Sequence, residues 1–446
     1  MSSTIFALST PPGRSGVAVV RLSGPETGAT LRYLTQGDLP PPRQAVLRRL
    51  YDAESETLDR GLVLWFPAPR SFTGEDMAEL QVHGSHAVIQ EITTCLATSH
   101  GLTPAEPGAF TRRAFDNAKL DLTEVEGLAD LIEAETTAQR RQALRQLDGY
   151  LSTLVTDWRT RLTRTLAHFE AAIDFSDEDL PETLMSALNQ EIADLEKAIA
   201  AVLEDNRRGE RLRDGFRIAI LGAPNAGKSS LLNALVRRDA AIVADTAGTT
   251  RDVVEVHMDL GGYPVMLADT AGLRVQSVKA DPIEKEGIRR ALNRAADADL
   301  KLALFDSTDP GSPDTASLSL VDEDTLVVAT KIDKCLEEEP ETMGAYPCFA
   351  ISAETGRGLN PLLTAIRQAV ANRADSGNSA PAITRARHRQ ALDETQEALR
   401  RAQTAPLPEL AAEDLRLASR SLGRITGSVD VEDLLDVIFA DFCIGK

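Results

Sequence analysis

The octapeptide Gly222-Ala223-Pro224-Asn225-Ala226-Gly227-Lys228-Ser229 reads G-x-x-x-x-G-K-S and constrains the fold more than any other stretch. A loop of this kind works only where a strand delivers the chain and a helix carries it away. The flanks meet both conditions. Phe216 to Leu221 is apolar and β-branched, as a buried strand is, and Ser230-Leu231-Leu232-Asn233-Ala234-Leu235 reads as a helix. The glycines let backbone N–H groups curl around a phosphate, and the helix N-terminus adds partial positive charge. Asn225, Ala226, Gly227, Lys228, Ser229 and Ser230 are therefore nucleotide-binding candidates. Lys228 is placed to reach the β- and γ-phosphates, and the Ser229 hydroxyl to hold Mg²⁺.

Three further motifs follow in order and select the base. Asp269-Thr270-Ala271-Gly272 comes after the apolar run Tyr263 to Ala268 and reads D-x-x-G. Its aspartate suits a water-mediated Mg²⁺ contact, and its glycine N–H suits the γ-phosphate. Thr330-Lys331-Ile332-Asp333 follows a strand at Thr325 to Ala329. The Asp333 carboxylate can accept both N–H groups of the guanine N1/N2 edge, which adenine does not offer. Ser352-Ala353-Glu354 follows Cys348 to Ile351 and resembles the loop that touches guanine O6 in GTPases. Thr330 stands where GTPases usually carry Asn. The expectation is that its hydroxyl bonds locally while the Asn contact to the base or the phosphate loop is lost.

With 446 residues the chain is long enough for about three domains. A net charge of −20 excludes a general nucleic-acid binder, so any RNA contact needs a local basic face or a partner protein. The four cysteines, Cys95, Cys335, Cys348 and Cys443, lie far apart without C-x-x-C spacing, which suits a reducing compartment and no zinc site. No run approaches the ~18 apolar residues of a membrane helix. Met1 to Ile5 lacks a basic region followed by an apolar core, so no secretory signal is read and the chain is expected to be cytoplasmic.

Residues 1–118 read as a small α/β domain, with strands at Phe6 to Leu8, Val17 to Leu22, Gly61 to Phe66 and Ala78 to Val82. Arg21 and Glu79 sit inside two of these apolar strands. Each is either on a solvated face or lining a pocket. From Lys119 the period changes. Leu144, Leu147, Leu151, Leu154, Trp158, Leu162, Phe169 and Ile173 predict one long amphipathic helix. The acidic break Asp174 to Pro181 reads as an exposed loop. Leu188, Ile192, Leu195, Ile199 and Val202 mark a second helix. Arg207 to Arg211 then leads into the strand at Phe216. Ala371 to Ser379 reads as a polar linker, and helices resume at Thr384 to Ala402, Pro408 to Leu422 and around Val431 to Phe439. The expected organisation is 1–118, a helical domain in two pieces (119–213 and 373–446), and a nucleotide domain, 214–372, inserted between them.

Several motifs outside the nucleotide domain carry a resemblance. They are Thr10-Pro11-Pro12-Gly13-Arg14, Ser71-Phe72-Thr73-Gly74-Glu75-Asp76, Glu79-Leu80-Gln81-Val82-His83-Gly84, Pro107-Gly108-Ala109-Phe110-Thr111, Asn117-Ala118-Lys119-Leu120-Asp121-Leu122 and Cys443-Ile444-Gly445-Lys446. Together they resemble the tRNA modification GTPase family MnmE, also called TrmE, from the first strand to the last residue. The resemblance implies a fold of α/β and α parts: a folate-binding N-terminal domain through which the chain forms a homodimer, a discontinuous helical domain, and an inserted Ras-like P-loop G domain. It implies work with the FAD protein MnmG (GidA) to place a carboxymethylaminomethyl or aminomethyl group at C5 of the tRNA wobble uridine, using a tetrahydrofolate one-carbon unit.

The resemblance also implies site residues. Arg21, Glu79, Lys119 and Lys446 match contacts to 5-formyltetrahydrofolate. Lys and Arg suit the folate's glutamate carboxylate, and a carboxylate suits the pterin N–H edge. Leu273 occupies the place of the water-orienting Gln of Ras-type enzymes, and Arg251 and Arg274 read as switch-loop charge rather than as an arginine finger. The family uses K⁺ instead, and Asn225 matches its side-chain ligand. Ala244-Asp245-Thr246-Ala247-Gly248-Thr249-Thr250 matches the enclosing loop, with Ala244, Thr246 and Thr249 as K⁺ ligands and Thr250 on Mg²⁺. Glu284 matches the catalytic glutamate that positions water. Glu286 competes for that role, because Val275 to Pro282 is longer than the family's usual segment. Cys443-Ile444-Gly445-Lys446 has the shape of a prenylation box, but its final Lys rejects that reading; Cys443 itself reads as a buried small hydrophobe. The competing reading is a GTP-dependent RNA or ribosome assembly switch. A basic KH-like domain would mark it, whereas residues 373–446 read as acidic and helical.

Overall fold

The computed structural model describes residues 3–98, 102–174, 182–238, 255–269, 296–309, 318–335, 340–343, 345–375 and 381–429, with residues 435, 438–440, 442 and 445. Its contacts gather into two units: Met1–Ala129, Leu147–Thr160 and Ser419–Lys446 form one, and Asp130–Gln146 and Arg161–Ala418 the other.

The first unit is built on β1 (Thr4–Leu8), β2 (Ser15–Ser23), α1 (Thr27–Thr35), β3 (Val46–Tyr51), β4 (Thr57–Phe66), β5 (Met77–Gly84), α2 (His86–Thr98), β6 (Leu102–Pro104) and α3 (Ala109–Asp116). The sheet runs β3-β4-β5-β2-β1-β6, antiparallel except for the β1–β6 pair. Strand side chains alternate between faces. Ala18, Val20 and Leu22 of β2 and Leu80 and Val82 of β5 point into a core with Leu31, Leu34, Ile92 and Leu96 of the covering helices. Arg21 and Glu79 fall on the opposite face, directly across from one another in the β2–β5 register. In the same unit Leu435, Phe439 and Phe442 pack with Leu122 and Val125 at the start of α4 (Leu122–Glu133).

Next come α5 (Thr137–Leu147), α6 (Tyr150–Asp174), α7 (Glu182–Leu203) and α8 (Arg208–Asp214). The single helix expected from Leu144 to Ile173 is in fact two. Gly149 adopts φ +79°, the left-handed turn that closes α5, so Leu144 and Leu151 belong to different helices and Leu144 is exposed. The arginine-rich approach to the nucleotide domain is also helical, since Leu212 of α8 is buried. Residues 175–181 of the acidic break lie outside the described residues.

The second sheet comprises β7 (Phe216–Gly222), β8 (Glu255–Leu260), β9 (Tyr263–Asp269), β10 (Leu300–Asp306), β11 (Thr325–Thr330), β12 (Thr342–Met343) and β13 (Tyr346–Ala350). Its order is β12-β13-β11-β10-β7-β9-β8; the five inner strands are parallel, and β8 and β12 are antiparallel edges. This is the sheet of a Ras-like G domain. Its parallel strands are near-continuous apolar runs, and helices pack on the face formed by Ile218, Ile220, Leu302, Leu304 and Val328. Among those helices are α9 (Lys228–Arg238) and α10 (Leu359–Ala374). The expected linker from Ala371 begins later, because α10 continues to bury Val370 and Ala374. Helices then resume as α11 (Ala386–Thr404) and α12 (Pro408–Thr426). Glu196 of α7 receives Gln396 and Arg400 of α11, and Arg389 of α11 is bound by Asp205 and Glu210.

Candidate functional sites

The phosphate loop leaves the carboxyl end of β7 at Gly222, whose parallel partner on β10 is Leu304. A Cβ on Gly222 would lie 2.5 Å from the Leu304 carbonyl oxygen, and its φ is +145°, so only glycine allows the loop to turn here. Asn225 takes a left-handed φ of +68°, and α9 begins at Lys228. Lys228 is 7% exposed, and its Nζ donates to the carbonyls of Gly222 and Ala223, each at 2.9 Å. The ammonium is thus folded back over the loop. Ser229 and Ser230 stand exposed in the first turn of α9.

The Thr330 hydroxyl lies 2.7 Å from the Ala226 carbonyl and 3.2 Å from that of Phe305, and the residue is 4% exposed. The contact to the phosphate loop expected to be lost is therefore made. The end of β11 comes so close to the loop, with Gly227 against Thr330, that a hydroxyl on Cβ reaches where a longer Asn was expected to be needed. Lys331 pairs with Asp306 at the end of β10. Burial raises the Asp306 carboxyl, but hydrogen bonds from Lys331 and Thr308 outweigh it and hold the group below its usual range.

Ile332 is buried and anchors the turn Ile332–Lys334, and its N–H donates to the Ile351 carbonyl. Asp333 in that turn is exposed. β11 and β13 run parallel with Ala329 opposite Ala350, which sets the Thr330–Asp333 turn beside the Ser352 loop. Ser352 is buried, and its hydroxyl accepts the Thr355 N–H; Ala353 is half-buried and Glu354 exposed. Asp269 closes β9 opposite Ile220 of β7. Phosphate loop, Thr330–Asp333 turn and Ser352 loop thus share the carboxyl edge of one parallel sheet, where ligands bind in folds of this kind. Ala244 to Thr250, Arg251, Thr270, Ala271, Gly272, Leu273, Arg274, Glu284 and Glu286 lie outside the described residues.

The first unit holds the other candidate constellation. Arg21 Nη2 and Nε donate to one Glu79 oxygen at 2.9 and 3.2 Å, with the two side chains 23% and 21% exposed. The pair is half-buried and cross-strand, not a solvated face. The Arg21 guanidinium stands 5.9 Å from the rings of both Phe72 and Phe110. It also donates to the Gly445 carbonyl at 3.4 Å, which accepts from the Ser9 hydroxyl at 3.0 Å. The Lys119 stem runs against Gly74, in the loop that presents Phe72. That loop is tied down by the Arg113–Glu75 ion pair at 2.7 Å and by Asn117 on the Thr73 carbonyl. Phe72, Phe110 and Arg113 were not singled out as site residues from sequence, although each lies in or beside a motif that carried the resemblance. Lys446 and Cys443 lie outside the described residues. Among the described residues no helix is long and apolar enough to cross a membrane.

Residues 4–119 match the sequence model of the GTP-binding protein TrmE N-terminus, and residues 122–443 that of the MnmE helical domain. The tRNA modification GTPase MnmE of Paramagnetospirillum magneticum is 56% identical over 446 residues, covering 100% of both chains. That of Parvibaculum lavamentivorans is 55% identical over 449 residues, covering 99% of this chain and 100% of its own. The mitochondrial 5-taurinomethyluridine tRNA synthase subunit GTPB3 of Homo sapiens is 48% identical over 462 residues, covering 100% of this chain and 93% of its own.

Proposed function

The chain belongs to the MnmE family of tRNA modification GTPases, and on that premise we propose that it is a potassium-dependent GTPase that works with an FAD partner of the MnmG (GidA) type. The product is a carboxymethylaminomethyl or aminomethyl group at C5 of the tRNA wobble uridine, built with a tetrahydrofolate one-carbon unit. The human relative's name, a subunit of a synthase of a substituted uridine, supports both a multi-subunit assembly and chemistry on uridine. The observation that carries the GTPase part is the shared carboxyl edge of β7, β11 and β13, which gathers the phosphate loop, Asp333 and the Ser352 loop.

In this reading Lys228 leaves the Gly222 and Ala223 carbonyls for the β- and γ-phosphates. Asp333 reads the guanine edge, beside Ser352, Ala353 and Glu354. Ser229 and Thr250 hold Mg²⁺, while Asn225, Ala244, Thr246 and Thr249 hold K⁺; Asp269 and Gly272 face the γ-phosphate side. Bound there, the K⁺ would supply the charge that an arginine finger supplies elsewhere. Glu284 orients the attacking water. Arg21, Glu79, Lys119 and Lys446 bind 5-formyltetrahydrofolate. The half-buried Arg21–Glu79 pair under two aromatic rings suits this, offering charge for a carboxylate or an N–H edge and π-faces for a flat ring. The domains are 1–118, 119–213 with 373–446, and 214–372; the chain acts as a cytoplasmic homodimer.

Two measurements test the proposal. GTP turnover in potassium buffer should exceed that in sodium buffer of equal ionic strength, and equal rates would return the charge role to Arg251 or Arg274. The wobble-uridine nucleoside profile of tRNA from cells lacking the protein should lose the C5-substituted forms, and an unchanged profile would overturn the tRNA assignment.

A further inference from the structure

β10 and β11 run parallel and end together, with Asp306 opposite Thr330. Beyond that point the chain has to turn to bring Asp333 to the edge of the sheet. The turning residue is Lys331, which takes a left-handed φ of +60°. A side chain with a Cβ keeps that conformation only where its surroundings require it. The Lys331 carbonyl accepts the Lys334 N–H at 3.0 Å, so the same residue caps the turn that carries Asp333.

The surroundings that hold Lys331 come from the end of β10. Ahead of it, the Ser307 N–H donates to the Thr330 carbonyl at 3.1 Å. Behind it, Cys335 Sγ donates to the Ser307 carbonyl at 3.4 Å. Between these two ties, Lys331 Nζ donates to Asp306 Oδ2 at 2.5 Å. The other Asp306 oxygen accepts the Thr308 N–H at 2.9 Å and the Thr308 hydroxyl at 2.7 Å. The carboxylate is therefore oriented by its own loop and offers Lys331 a fixed point. The two side chains are 17% and 31% exposed. An ion pair this near the surface adds little to the stability of a whole domain. Its leverage is local, because it fixes the residue whose backbone sets where Asp333 points.

We propose that Asp306 is a positioning residue for guanine recognition: by tethering Lys331 it holds the left-handed reversal that aims the Asp333 carboxylate at the base. The proposal rests on the reading of Asp333 as the residue that accepts the guanine N–H groups. Asp306 itself acts through Lys331.

The test is calorimetric titration of the full chain with GDP and with inosine diphosphate, whose base keeps N1–H but lacks the 2-amino group. The ratio of the two affinities reads how well Asp333 meets the second N–H. Wild type should prefer GDP by about tenfold or more, the worth of one charge-assisted hydrogen bond. Asp306→Asn should shrink that preference about threefold or more, toward the lower end of couplings between residues in contact. A merely structural loosening would weaken both nucleotides alike and leave the ratio unmoved. Lys331→Met should shrink the ratio as Asp306→Asn does, and the double variant no further, because the two act as one tether. Lys331→Arg keeps the charge and should keep the ratio. If a thermal melt shows Asp306→Asn unfolded, Asp306→Ser removes the same charge and takes its place in the cycle. An unchanged ratio in the Asp306 variant overturns the proposal. So does a double variant whose loss is the product of the two single losses, since the residues would then act independently. A wild-type chain that binds both nucleotides equally overturns the Asp333 reading instead, and the tether's role with it.

Discussion

Thr330→Val removes one hydroxyl and keeps the β-branched shape. In the structure that hydroxyl is buried and sits 2.7 Å from the Ala226 carbonyl, one residue before Gly227 of the phosphate loop. The change deletes a buried hydrogen bond and leaves the Ala226 carbonyl facing a methyl group, at a cost of about 1–3 kcal/mol. The bond couples the Thr330–Asp333 turn, proposed to read the base, to the phosphate loop. The loss should therefore fall mainly on the nucleotide-bound state, where loop geometry matters most. At 1.4 kcal/mol per tenfold, GTP and GDP affinity should fall roughly 5- to 100-fold. Calorimetric titration of both nucleotides gives the number, and a thermal melt of the nucleotide-free protein separates loop loosening from general unfolding. Thr330→Ser keeps the hydroxyl and should hold affinity within a few-fold of wild type. If Val binds as tightly as Thr, the hydroxyl does not hold the loop. If Ser loses affinity while Val does not, the methyl group packs the site and the hydrogen bond is incidental.

Asp333→Asn should weaken GTP binding on the order of 10²-fold or more, from two charge-assisted hydrogen bonds worth about 1.5–3 kcal/mol each, and favour xanthosine triphosphate; unchanged GTP affinity would reject this specificity turn. Glu284→Ala should cut turnover by ~10²-fold or more with nucleotide affinity kept, while Glu286→Ala serves as control, and the reverse pattern in single-turnover assays moves the role to Glu286. Arg21→Ala should abolish most 5-formyltetrahydrofolate binding in a calorimetric titration and leave GTP binding intact; retained folate binding would make the Arg21–Glu79 pair purely structural. Asp306, held below its ordinary value of 3.8, contributes stability that is present above that value and lost as pH falls through the lowered one. Asp306→Asn should therefore lower the melting temperature at neutral pH, and the gap to wild type should close in acid; a gap independent of pH would contradict the ion-pair account.

The placement of the three loops at one sheet edge was legible because they have strict local chemistry: glycines where backbone crowds, Lys228 and Ser229 at a helix start, Asp333 after a strand. Features decided by distance in space were not. Nothing local to Thr330 says how near β11 comes to the phosphate loop, so its contact was misjudged. Arg21 and Glu79 are 58 residues apart, and only strand register pairs them. Apolar spacing predicted the long helix correctly in kind, but spacing does not register a backbone reversal, and Gly149 splits it. The arginines around 207–211 hid α8, because a polar surface helix held by few buried residues leaves a weak periodic trace.

Arg21 receives Glu79 58 residues later, but the Gly445 carbonyl only 424 residues later. At synthesis rates of about 5–20 residues per second, that delay is roughly 20–85 s. The strands of the first unit are all made long before then, so a nascent protein that pairs them early would hold a sheet with an unfinished polar corner. Packing of Leu435, Phe439 and Phe442 against Leu122 and Val125 is deferred in the same way. The constellation around Arg21 thus depends on complete translation: its contact to the Gly445 carbonyl forms only in chains read through to Gly445.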